Sequence, residues 1–83
     1  MSLEIIVCHD RWHFIGSVTE NGDKLIIANA RNIRQWGTTR GLGEIALLGP
    51  TQKTVLDDYG VVTVQKDKVV CRIACLEKQW KST

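Results

Sequence analysis

The chain has 83 residues, the length of a single domain over residues 1–83. Its 43% hydrophobic and 24% charged residues exclude a disordered chain. A net charge of +2, from 11 basic and 9 acidic side chains, excludes a general coat for nucleic acid. A domain of this size buries only about 60–65% of the surface its unfolded chain exposes, so assembly into a homo-oligomer is the expected compensation.

Glu4 to His9 reads as a first strand, dense in Ile5, Ile6 and Val7, with a turn at Asp10-Arg11. Trp12 to Thr19 alternates, with Trp12, Phe14, Gly16 and Val18 on one face and His13, Ile15, Ser17 and Thr19 on the other. Asn21-Gly22 tolerates the positive φ of a tight hairpin, after which Lys24 to Ala30 returns as a strand. Polar residues interrupt the apolar pattern from Asn29 to Asn32 and Ile33 resumes it, which predicts a bend of the kind that turns corners in small barrels. Gln35 to Gly41 reads as a loop. Leu42, Ile45 and Ala46 stand at helical spacing, with Glu44 in the first turn and Gly49-Pro50 as the stop, so one short helix is expected over about residues 41–48. Asp57 to Gly60 reads as a turn. Val61 to Gln65 and Val69 to Leu76 read as a final hairpin around Lys66-Asp67-Lys68. Residues 77–83 are polar apart from Trp80 and are expected to fray. The pattern predicts a mainly β fold: a small, strongly curved sheet or an Sm-like or SH3-like barrel with one short inserted helix.

Cys8, Cys71 and Cys75 are odd in number and form no Cys-x-x-Cys pair. Cys71 and Cys75 on one strand face would stand roughly 13 Å apart, too far for a disulfide, which points to free, buried thiols in a reducing compartment. Leu3 to Cys8 is too short for a secretion signal and carries Glu4, and nothing approaches the roughly 18 apolar residues of a membrane span. A cytoplasmic protein with no membrane partner is expected. Cys8, His9 and His13 match no common zinc spacing, and adjacent strand residues point to opposite faces, so neither a metal, a cofactor nor a cysteine-based enzyme is expected.

The segment from Asn29 to Glu44 is the most unusual. Arg31, Arg34 and Arg40 fall within ten residues, and no acid lies between Asp23 and Glu44. Arginine forks pair with phosphate oxygens, Trp36 offers a stacking face, Thr38 and Thr39 offer hydroxyls, and Gly41 and Gly43 admit a close ligand. Together they describe a site for a small phosphate-containing nucleotide. The purely structural reading stands beside it: Thr38 or Thr39 as a helix cap, the glycines as turn formers, Trp36 as core, and Arg31 and Arg34 paired with Asp57 and Asp58. Neither a Walker loop nor a dinucleotide fingerprint is present.

The strings Lys24-Leu25-Ile26-Ile27-Ala28-Asn29-Ala30-Arg31-Asn32-Ile33-Arg34-Gln35-Trp36 and Gly37-Thr38-Thr39-Arg40-Gly41-Leu42-Gly43-Glu44-Ile45-Ala46 resemble a group of small, largely uncharacterised phage and prophage proteins. The likeness runs from Trp12 to Cys75. It implies a viral accessory protein made in a bacterial cytosol. Other small phage proteins act as oligomeric sponges for nucleotide signals of bacterial immunity, and by that analogy the expected function is non-catalytic, anti-defence sequestration of such a nucleotide. The alternatives are a small RNA- or DNA-binding barrel and a protein–protein adaptor or virion accessory, with Trp12, Trp36 and Trp80 as anchors.

Overall fold

A computed structural model describes residues 2–37 and 41–80. Its strands are β1 (Ser2–Cys8), β2 (His13–Asn21), β3 (Lys24–Gln35), β4 (Val55–Gln65) and β5 (Val69–Ala74), with one helix, α1 (Leu42–Leu48). They form a single antiparallel sheet in the order β4-β3-β2-β1-β5. The fold is therefore mainly β with one short inserted helix, as the patterning predicts.

Two local signals act as expected. The β2–β3 hairpin closes with Asn21 opposite Lys24, so its two central residues are Gly22, at φ 61°, and Asp23. The predicted bend is a bulge in β3 at Asn29, which holds φ 52° while the β2–β3 register shifts between Ile15 and Ser17. The strands press together there. A Cβ on Gly16 would lie 2.5 Å from Ile27 Cγ2 and 2.7 Å from the Ala28 carbonyl oxygen.

Three expectations fail. The final pair of strands is no hairpin: β4 and β5 occupy opposite edges of the sheet, joined by the 3-10 turn Lys66–Lys68. Asp57 to Gly60 is no turn, but part of β4, with Gly60 at φ 76° beside a register shift. The tail is not loose as far as Trp80: Glu77–Gln79 form a 3-10 turn, and Trp80 is 4% exposed.

The connection between the edges shows how far the sheet curls. Four strand spacings in a flat sheet span roughly 19 Å. Four residue steps of 3-10 geometry rise only about 8 Å. The sheet must bend for Gln65 to reach Val69, and its inner face is where Val62 and Val64 of one edge meet Val69 of the other. All three pack on Ile6, Cys8, Phe14, Val18, Leu25, Ile27 and Ala30. The outer face is covered by α1 and the tail, with Ile5, Ile15, Ile33, Ile45, Ala46 and Trp80 at its centre. Ile5 and Ile6, neighbours in sequence and both fully buried, serve the two cores alternately.

Glu4 shares the inner face with Ile6 and is buried. Arg72 holds it through two hydrogen bonds, Nε to Oε1 at 2.8 Å and Nη2 to Oε2 at 2.9 Å, and Ser2 Oγ donates a third. Arg72 also approaches Glu20 at 3.6 Å, and Lys66 pairs with Glu20 at 2.6 Å. This chain of charges ties β1, β2, β5 and the 3-10 turn together. The Arg72 hydrogen bonds hold the Glu4 carboxyl below the usual glutamate range against the opposing effect of burial.

Candidate functional site

The site expected from sequence begins on the second half of β3, and the pleat decides where its side chains go. Arg31 pairs with Asp58 across β4, and Asn32 with Asp57, so the two arginines three residues apart fall on different faces. Arg31 lines an outer-face groove of about 670 Å³, together with Ser17, Asn29, Asp58 and Trp80, and its guanidinium lies 5.9 Å from the Trp80 ring centre. Arg34 lines a separate hollow of about 450 Å³ at the rim of the sheet, with Trp12, His13, Asn32 and Trp36. Arg31 and Arg34 therefore do not form one cradle. Thr38, Thr39 and Arg40 lie outside the described residues.

The rim hollow is built where β2 starts and β3 ends. The β1–β2 turn, with Asp10 at φ 68° and the Cys8 amide donating to the Trp12 carbonyl at 2.8 Å, sets Trp12 at the mouth. Trp12 stacks on Phe14 with ring centres 5.5 Å apart, meets Tyr59 edge-on at 6.0 Å, and remains 44% exposed. Across the hollow, Trp36 meets His13 edge-on at 5.1 Å and also packs against the outer core. Its role is thus partly the structural one. Burial pushes the His13 pKa down, which leaves its imidazole neutral at pH 7.

Arg34 is oriented by Asp57, with Nε 3.1 Å from Oδ2 and Nη2 3.3 Å from Oδ1. The pair is exposed, so it adds little stability, but it fixes the guanidinium at the edge of the hollow. The chain then leaves the sheet along a tethered path. Thr54 Oγ1 donates to the Trp36 carbonyl at 2.6 Å, and Thr51 Oγ1 donates to the Gly37 carbonyl at 3.1 Å. Gly37 sits at φ 67°, and a Cβ there would stand 2.5 Å from the Lys53 carbonyl carbon, so packing explains this glycine. Gly41 and Gly43 differ, because an added Cβ would meet none of the described residues within 4 Å at either one. Gly41 takes the N-cap of α1 at φ 79°, without a side-chain cap.

Sequence reasoning missed Trp12 as a wall of the hollow shared by Arg34 and Trp36. It also missed Ser17 and Trp80 around Arg31, whereas Asp58 stands beside Arg31 as the structural reading allowed. The only available signal was the cluster of aromatic and polar residues at the start of β2, which carries no spacing rule. The thiols divide as well. Cys8 is buried, Cys75 is half-buried, and Cys71 is exposed, contrary to the expectation that all are covered. Burial pushes the Cys8 pKa up and that of Cys75 up to about 11, so both stay protonated and weakly nucleophilic at neutral pH. No protein-family model matches the chain, and no curated protein matches it either. Among the described residues, no helix is long and apolar enough to cross a membrane.

Proposed function

We propose that the protein is a non-catalytic binder of a small phosphate-containing nucleotide, held at the rim hollow. The observation that carries this reading is the meeting of exposed Trp12 and Arg34 with half-buried Trp36 and Asn32 around one space of about 450 Å³. That volume lies in the range of small-ligand sites. An indole face stacks a base, Asn32 can read its edge, and the exposed forked guanidinium of Arg34 pairs with a phosphate. In sequence, Thr38, Thr39 and Arg40 fall between Gly37 and Gly41. Arg31, which lines the separate outer-face groove, is left out of this site. The protonated thiols of Cys8 and Cys75 suit sequestration, which needs affinity and no turnover. With the likeness to phage proteins, the ligand is read as a host immune signal captured in the bacterial cytosol.

A thermal-shift screen against mononucleotides, cyclic di- and trinucleotides and ADP-ribose derivatives tests the proposal. Ligand at 100 times its dissociation constant adds about 2.7 kcal/mol, a rise of roughly 10 °C or more in a domain of this size. Arg34→Ala and Trp12→Ala abolish that rise, and Arg31→Ala keeps it. No shift with any class, or equal loss in Arg31→Ala, overturns the assignment. A protein–protein adaptor is the second reading. It is favoured by Leu47 and Leu48 of α1, which are 56% and 67% exposed.

A further inference from the structure

The outer edge of β4 is the longest open edge of this sheet. Strand β4 runs 11 residues and pairs only with β3, so among the described residues no strand satisfies the amides and carbonyls of its other side. Proteins that keep such an edge solitary protect it with lysine, proline or an inward-pointing charge. Val55–Gln65 contains neither lysine nor proline; Asp57, Asp58 and the bulge at Gly60 guard only its first half, and beyond them it is apolar, with Val61 68% exposed. The opposite edge, β5, is only six residues long, and its single charge, Arg72, is taken up by Glu4 and Glu20.

The geometry points to a second copy of this chain as the occupant of the β4 edge, paired antiparallel with its own β4 across a two-fold axis at Val61. Self-pairing through one edge closes after two copies, as an isologous contact must. With Val61 opposite Val61, the exposed valines form the central cross-strand pair. Tyr59 then faces Thr63, Gly60 faces Val62, and Asp57 faces Gln65. Asp57 is held by Arg34 and Lys66 by Glu20 within each chain, so the complementary charges left at the ends are Asp58 of one strand and Lys68, just beyond Gln65, of the other. Like charges stay at opposite ends of the paired region. This complementarity selects a copy of the same strand over an arbitrary peptide. It also gives the outer-face groove a further wall, because Asp58 and Gly60 of β4 line that groove where it reaches the edge.

Sedimentation velocity of the full chain at micromolar concentration tests this pairing directly. The expected result is a dimer that Val61→Lys converts to monomer by raising the dissociation constant at least tenfold, with the far-UV spectrum unchanged. Val70→Lys, on the exposed face of β5, leaves the dimer intact. A monomeric wild type, a Val61→Lys dimer, or an assembly broken by Val70→Lys each overturns the self-paired edge. The last of these would mean head-to-tail contacts instead. Nucleotide binding at the rim is scored separately, so either result stands without the other.

Discussion

Arg72→Ala tests the charge chain that closes one end of the inner core. In the wild type, Glu4 is buried, with its side chain 10% exposed, and its carboxylate depends on the two Arg72 hydrogen bonds. Breaking a fully buried ion pair by removing one partner costs about 3–5 kcal/mol. The Arg72 side chain is 35% exposed, and solvent screening reduces the cost to about 2–3 kcal/mol. Each kcal/mol moves Tm by about 4–8 °C in a domain of this size, so circular dichroism melts at pH 7 should show a fall of roughly 10–20 °C. The pH dependence gives a second check. The folded Glu4 pKa is depressed, so its stabilisation is fully present above the ordinary glutamate range and is lost as pH falls through the folded value. The gap between wild type and variant should therefore shrink as the pH is lowered from 5 toward the depressed pKa. Glu4→Gln and the double variant complete a cycle in which the two losses are not additive. A variant melting within about 2 °C of wild type at pH 7 would refute the reasoning, as would a gap that does not change with pH.

Two further outcomes follow from packing. Gly16→Ala places a methyl group against the Ala28 carbonyl and Ile27, and should lower the unfolding free energy by about 1–3 kcal/mol, seen as a lower urea midpoint with the m-value unchanged; an unaffected midpoint would mean that β2 and β3 are not pressed together at the bulge. Thiol labelling at pH 8, read by peptide mass spectrometry, should modify Cys71 quickly and reach Cys8 and Cys75 only on unfolding, since burial keeps both protonated. Equal labelling of Cys75 and Cys71 would contradict the cover that Cys75 receives from the outer core.

Strands β1, β2, β3 and β5, a hairpin turning at Gly22, the bend near Asn29 and the limits of α1 were legible because each rests on chemistry within a few residues. Alternation assigns faces, glycine permits positive φ, and Gly49-Pro50 stops a helix. Alternation even separated Phe14 and Val18 from Ile15, which serve different cores. The sequence also marked Arg34 and Trp36 as unusual, and the structure sets both beside the same hollow.

Where β5 goes was not legible. Lys66-Asp67-Lys68 suits a hairpin turn as well as a 3-10 step between sheet edges, and only the curl of the whole sheet decides between them. The same curl keeps Asp57 to Gly60 extended along β3, although four turn-forming residues in a row suggest otherwise. Trp80 is buried by contacts with Ile5, Ile15 and α1, all distant in sequence, so no local pattern announces that the tail docks. The placement of Arg31 away from Arg34 has the simplest cause. Residues three apart are neighbours on a helix and opposites on a strand, and a cluster of arginines in the sequence becomes a cluster in space only where the backbone brings their faces together.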